Sequence, residues 1–230
     1  MSQHFEGRYL KNKQMLSDDN LTKLKSSKVC VVGCGGLGGY VIEMLGRIGI
    51  GHLTVIDGDV FDNTNLNRQL LSSENTIGQS KSKIAELRLK QVNSEVVVKA
   101  HHLFVDENSV NDLILGHDIV VDALDTIEAR KCLVNACELL KIPFIHGAIA
   151  GWYGQVSTIM PGDRTLEKLY HSNAGRGDEV ILGNPSFTPA FVASIQVSET
   201  IKVLLRKGDI LQNKVMHIDL LCNEFNVFDL

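Results

Sequence analysis

The chain alternates short apolar runs with amphipathic stretches. Lys28 to Val32 (KVCVV) reads as a buried strand, Gly33 to Gly39 as a turn, and Tyr40 to Ile48 as a helix with Val41, Met44, Leu45 and Ile48 on one side. Leu53 to Ile56 is a second strand that ends at Asp57. Together these form a βαβ unit of about 30 residues, the length such a unit needs. Asp62 to Ser80 is irregular and rich in Asn, Ser and Thr. A helix over Lys81 to Val92, a strand over Val96 to His101, a helix over Val105 to Leu115 and a strand over Asp118 to Asp122 follow. The series continues with a helix over Ile127 to Lys141 and a strand over Ile142 to Ile145. The alternation predicts an α/β fold of Rossmann type, with a largely parallel sheet and helices on both faces.

The rhythm changes after Ala148. Gln155 to Ile159, Val215 to Leu220 and Glu224 to Phe228 read as strands of an antiparallel C-terminal part, with a helix over Phe187 to Lys207. Pro161 to Pro185 is a long polar segment, and such segments in compact domains are often lids or binding loops. Its His171 and Arg176 have no assignable role. Met1 to Ser27 is polar and partly helical, with Leu16, Leu21 and Leu24 as anchors. The reading is one domain over residues 1–230: an arm (1–27), a nucleotide-binding half (28–146) and a substrate-groove half (147–230).

Composition narrows the classes. The 230 residues are 44% hydrophobic and 22% charged, ordinary for a globular domain. The net charge of −4 gives no reason to expect nucleic acid. Five scattered cysteines, with no Cys-x-x-Cys pair, argue against a disulfide framework and against the usual zinc site. No signal-peptide core or membrane-length apolar run occurs, so a cytoplasmic location is expected.

The chemistry starts at the turn. Gly33-Cys-Gly35-Gly36-Leu-Gly38 fits G-x-G-x-x-G, follows a strand and opens a helix. Glycines let phosphate approach the backbone, and the helix N-terminus offers N–H donors and a positive dipole end. Asp57, 19 residues beyond Gly38, suits a ribose hydroxyl. The turn alone does not separate NAD from ATP. Downstream, Asn65-Leu-Asn-Arg68-Gln69 and Gly78-Gln-Ser-Lys81 place phosphate-binding groups within 17 residues. Arg offers a planar fork and Lys a point charge, which a leaving pyrophosphate needs more than a dinucleotide does. Asp122 and Asp125, at the end of a strand, point at the ligand crevice and suit Mg²⁺.

These motifs, with Asp57-Gly-Asp59, occur in the order and spacing of the ThiF/MoeB/HesA family, and the chain resembles that family from Arg8 to Ile159 and on through the helix near Phe191 to Leu205. The resemblance implies adenylation of a carboxylate by ATP, with Asp57 on the ribose, Asn65, Arg68 and Lys81 on the phosphates, and Asp125 on Mg²⁺. Asp59 and Gln69 belong to the same site. It also implies a homodimer in which a basic residue of one arm reaches the other subunit's phosphate. Lys11 matches that position, where the family more often has Arg; Arg8 and Lys13 are alternatives. The implied partner is a small ubiquitin-like sulfur-carrier protein with a Gly-Gly tail, of the thiamine or molybdenum-cofactor type.

Two family features are missing. There are no zinc cysteines, and Pro161 to Pro185 holds no cysteine. Cys132 and Cys137 read as core residues, and a reactive Cys34 would conflict with phosphate binding. Hence the expected chemistry stops at adenylation. Three other readings stay open: adenylation of a peptide or a threonylcarbamoyl-tRNA, an NAD-dependent oxidoreductase, and a non-catalytic nucleotide-binding partner. The Gly-dense stretch Gly147 to Gln155 is a candidate channel floor for a peptide tail, with Trp152 as groove wall or core.

Overall fold

The structure, a computed structural model, describes residues 5–170 and 179–230. The candidate residues His171 and Arg176 lie outside the described residues. In chain order the elements are α1 (Phe5–Arg8), α2 (Asp18–Ser26), β1 (Lys28–Val32), α3 (Gly36–Ile48), β2 (His52–Ile56), α4 (Lys81–Val92) and β3 (Val97–His101). They continue with α5 (Val110–Ile114), β4 (Ile119–Asp122), α6 (Ile127–Leu140), β5 (Phe144–Ala150) and β6 (Tyr153–Ile159). The last are α7 (Thr165–Leu169), α8 (Glu179–Leu182), α9 (Phe187–Leu205), β7 (Lys214–Asp219) and β8 (Glu224–Asp229).

One sheet carries all the named strands in the order β3-β2-β1-β4-β5-β6-β7-β8. β1 to β5 run parallel, and β6, β7 and β8 continue antiparallel from β5. The period-2 alternation of strand side chains divides the core between two faces. Val29, Val31, Leu53, Val55 and Val121 pack with α3, α4 and α9. Cys30, Val32, Ile56 and Val120 pack with α5, α6 and α7. Burial on both faces explains why these strands are continuous apolar runs.

Local chemistry sets several boundaries. α3 begins at Gly36, four residues before the expected start, because the glycine turn itself forms its first turn. The expected helix over Val105 to Leu115 shrinks to Val110–Ile114. The carboxylate of Asp106 accepts the N–H groups of Asn108 (3.1 Å) and Ser109 (2.8 Å), a side-chain turn that competes with helix. The stretch Gly147 to Gln155 is a tight hairpin, with Ala150 opposite Tyr153. Its glycines admit α9: a Cβ on Gly147 would lie 2.4 Å from the Gln196 amide, and one on Gly154 would lie 2.3 Å from Val192. Intramolecular packing therefore accounts for the glycine density, and the channel-floor reading loses its basis. In the arm, Leu16, Leu21 and Leu24 are buried as expected.

In this order the chain leaves β1 towards β2 and β3 on one side and later fills β4 on the other. Such a reversal opens a crevice at the C-terminal ends of β1 and β4, the usual ligand position in open α/β sheets.

Candidate active site

A cavity of about 710 Å³ fills that crevice. It is lined by the ends of β1 (Val32, Gly33), β2 (Ile56 to Asp59) and β4 (Ala123 to Thr126), with Gly35, Gly36 and Leu37 at the start of α3. Arg68, Gln69, Lys81, Arg130 and Asn184 complete the polar wall.

The four motif glycines do different work. Gly33 has φ +100°, and a Cβ there would lie 2.3 Å from the Ala123 carbonyl oxygen. A Cβ on Gly38 would lie 1.8 Å from the Gly33 oxygen. Both are demanded by backbone approach within the protein. Gly35 and Gly36 are not: their nearest contacts would be 3.5 Å (Gln69 Nε2) and 3.7 Å (Pro189 Cβ). They leave an open cradle at the N-terminus of a 13-residue helix, a ready site for an anion.

Asp57 ties the turn to β2. Its Oδ2 accepts the Cys34 N–H at 2.7 Å and its Oδ1 the Asp59 N–H at 2.8 Å. Burial raises its pKa above the ordinary carboxylate value, against these two donors and the Lys81 charge. Cys34 is fully buried behind the turn. Burial first, then the Asp57 charge, pushes its thiol pKa well up, so it is no nucleophile.

Lys81 enters the cavity from the first turn of α4 and pairs with Asp59 at 3.0 Å. Its side chain is buried while that of Asp59 is 54% exposed, so the pair can open when a competing anion arrives. Arg68 donates from Nη1 to the Thr64 carbonyl (2.8 Å) and to Asn67 Oδ1 (2.9 Å). Gln69 is buried beside Gly35, and its Oε1 has no hydrogen-bond partner among the described residues. Rotation of that amide presents either a donor or an acceptor to a ligand.

The two aspartates after β4 separate. Asp122 is fully buried, accepts from His146 Nδ1 (2.8 Å) and the Leu124 N–H (3.0 Å), and forms an ion pair with Arg130, whose Nε lies 3.3 Å away. It is a structural hub and does not reach the crevice as a metal ligand. Asp125 is exposed on the cavity wall. One carboxylate beside a phosphate site matches how Mg²⁺ is held, through one or two carboxylates, phosphate oxygens and water. Among the described residues no group of three His, Cys, Asp or Glu side chains is arranged to hold a metal ion.

Like Gly38 and Asp122, two more expected residues are not part of the wall. Asn65 is buried in a 3-10 turn, where its Oδ1 accepts the Asp62 N–H at 3.2 Å and closes a capping box. Its polarity serves the loop that presents Arg68 and Gln69. Lys11 is exposed on the arm. Arg8 donates to the Val92 carbonyl (2.7 Å), and Tyr9 accepts from Asn93 Nδ2 (2.9 Å). Both anchors sit at the C-terminal end of α4, whereas Lys81 opens its N-terminal end in the cavity. Twelve helical residues separate these ends by about 18 Å. Arg8 is thus held at the opposite end of α4 from Lys81, and Lys11 is not among the residues that line the cavity.

The sequence reading missed several wall residues. Leu103, Phe104, Val105, Ala123 and Leu124 supply apolar lining, and Phe104 is 70% exposed. Asn184 lies beside the Arg68 loop, its carbonyl accepting from Asn67 Nδ2 at 3.0 Å. Arg130 carried a readable signal: it is a charge on the buried Ile127, Arg130, Leu133, Cys137 stripe of α6.

Comparison with known proteins places the family and the fold. The ThiF family model matches residues 8–230. The SAMP-activating enzyme E1 of Haloferax volcanii is 34% identical over 200 residues, covering 86% of this chain and 74% of the relative. The molybdopterin-synthase adenylyltransferase of Escherichia coli is 32% identical over 212 residues, covering 90% and 84%. Among solved structures, E. coli MccB with ATP superposes with a TM-score of 0.80 at 24% identity, covering 97% of this chain and 71% of that one. E. coli tRNA N6-threonylcarbamoyladenosine dehydratase gives 0.75 at 23% identity, covering 87% and 95%. These two show a shared fold. The match over nearly the whole chain, with the glycine turn, Arg68, Lys81 and Asp125 gathered on one crevice, shows that this chain belongs to the ThiF family.

Proposed function

We propose that the chain is an adenylyltransferase that activates the C-terminal carboxylate of a small ubiquitin-like sulfur-carrier protein. A carboxylate oxygen attacks the α-phosphorus of ATP, and pyrophosphate leaves from the opposite side. The observation that carries this is the division of the glycines. Gly35 and Gly36 keep an open cradle that protein packing does not require, beside three groups suited to a polyphosphate: Arg68, Lys81 and Gln69.

The rest of the cavity fits the same ligand. The apolar lining of Leu103, Phe104 and Val105 suits the base, and Asp57 a ribose hydroxyl. Lys81 would exchange Asp59 for phosphate, and Arg68 would add its fork, supplying fixed positive charge as pyrophosphate departs. Asp125 would hold Mg²⁺, which neutralises phosphate charge when bound. No nucleophilic side chain is required, because the reaction needs positioning and charge stabilisation.

The position of the arm supports a homodimer. Lys11 does not line its own chain's cavity, so its role would be in the partner subunit's site. An apolar surface supports a protein substrate: the half-exposed rings of Trp152 and Phe187 lie 4.7 Å apart, and Phe191 stacks on Phe225 of edge strand β8 at 5.4 Å. We read residues 1–230 as one adenylation domain, with arm, nucleotide half and substrate half. A cytoplasmic location fits five unpaired cysteines. No helix among the described residues is long and apolar enough to cross a membrane.

The test is ATP–pyrophosphate exchange with carriers ending in Gly-Gly. Exchange that depends on the carrier, and is lost in Arg68→Ala and Asp125→Ala, supports the reading. Mg-ATP binding without exchange under any carrier contradicts it. Exchange driven by a short peptide or a modified tRNA would reassign the substrate.

A further inference from the structure

The buried polar cluster under the cavity does more than fill space. Arg130 and Asp122 hold the two sides of one residue, Leu124. The Leu124 N–H donates to Asp122 Oδ1 at 3.0 Å, and the Leu124 carbonyl accepts from Arg130 Nη2. That carbonyl belongs to the peptide bond leading into Asp125. The orientation of Asp125 is therefore set by a guanidinium that lies on a different element, α6.

Arg130 is itself held. Its Nη1 donates to the Tyr170 hydroxyl at 3.0 Å, and its Nε faces Asp122 at 3.3 Å. Tyr170, the residue that caps α7, accepts a second bond from Gln155 Nε2 at 2.7 Å. It also lies 3.2 Å from His146 Nε2. His146 is fully buried, and burial lowers its pKa despite the Asp122 partner, so the ring is neutral. Its Nδ1–H donates to Asp122, which leaves Nε2 as an acceptor for the tyrosine O–H and the Gln155 amide, each 3.2 Å away. Each group then has a definite role, and the chain of bonds runs from α7 through α6 to the Asp125 peptide. Bonds linked in this way restrain one another.

We propose that Arg130 and Tyr170 are positioning residues for the magnesium-binding carboxylate: Arg130 fixes the Leu124–Asp125 peptide, and Tyr170 fixes Arg130. This rests on the reading of Asp125 as the Mg²⁺ ligand. Neither residue touches the metal. Their loss misplaces Asp125 without removing it, as outer partners of metal ligands do elsewhere.

The test measures binding of a non-hydrolysable ATP analogue by calorimetry across a series of Mg²⁺ concentrations. Arg130→Lys keeps the charge but loses the fork that reaches the Leu124 carbonyl and Tyr170 together. It should raise the Mg²⁺ concentration for half-maximal enhancement of binding by about tenfold. Tyr170→Phe should shift it the same way by less. Analogue binding without Mg²⁺ should stay at the wild-type level in Tyr170→Phe, which does not line the cavity. A purely structural role would lower the unfolding midpoint and leave the Mg²⁺ dependence alone. If Arg130→Lys does not fold, Tyr170→Phe decides. An unchanged Mg²⁺ requirement in a folded variant overturns the inference. Failure of wild-type protein to bind the analogue in a Mg²⁺-dependent way overturns the underlying reading instead.

Discussion

Replacing Gly36 and Gly38 by alanine, one at a time, should split stability from binding. At Gly38 the new Cβ would sit 1.8 Å from the Gly33 oxygen and 2.7 Å from its carbonyl carbon. Backbone would have to move by more than about 1 Å, since real Cβ contacts stay beyond about 3 Å. Overpacking of this kind costs roughly 3 kcal/mol. In a protein of this size each kcal/mol moves Tm by about 2–4 °C, so a fall of about 6–12 °C is expected. At Gly36 the nearest atom would be Pro189 Cβ at 3.7 Å, an ordinary contact. Helical Gly→Ala gains about 0.5–1 kcal/mol, so the apoprotein should melt at the same temperature or slightly higher. The methyl would nonetheless occupy the anion cradle. Losing one hydrogen bond to a charged phosphate costs roughly 1.5–3 kcal/mol, a roughly ten- to hundredfold weaker affinity. Thermal unfolding with and without Mg-ATP, plus calorimetric titration, reads both effects. The reasoning is refuted if Gly36→Ala binds Mg-ATP like wild type, or if Gly38→Ala melts like wild type.

Three further outcomes follow from the same structure. Lys11→Ala and Asp125→Ala should each be nearly inactive, yet their equimolar mixture, after subunit exchange, should recover about a quarter of wild-type activity, because half the dimers keep one complete site; no recovery counts against a residue acting across subunits. Phe225→Glu should weaken carrier binding about tenfold while Mg-ATP binding and Tm stay near wild type, as measured by titration, since an exposed aromatic cluster suits a protein contact. A thiol reagent should label Cys222, which is exposed, and spare Cys30, Cys34 and Cys137, which are buried with thiol pKa values raised by burial; intact-mass counting of adducts on folded protein checks this.

The parallel half of the sheet and its glycine turn were readable in the sequence because their signals are local. KVCVV, the glycine turn and Asp57 are adjacent in the chain, and strands buried on both faces are plain apolar runs. Arg68, Lys81 and Asp125 were readable because each belongs to a short motif. What stayed hidden depends on contacts distant in sequence. Gly147 and Gly154 are small because α9 lies on them, some 40 residues later. Asn65 has the right residue type for a ligand, but it is buried in the capping box of its own 3-10 turn, off the cavity wall. Tyr170 matters through Arg130, 40 residues away. Helix length failed where Asp106 makes its own turn.

The most direct test is the intact mass of a Gly-Gly carrier after incubation with the enzyme, Mg-ATP and a pyrophosphatase. The account predicts a carrier heavier by one adenylyl group, an enzyme of unchanged mass, and no adduct with Asp125→Ala. A carrier of unchanged mass alongside normal Mg-ATP binding would contradict it, as would a carrier joined to the enzyme through a cysteine thioester.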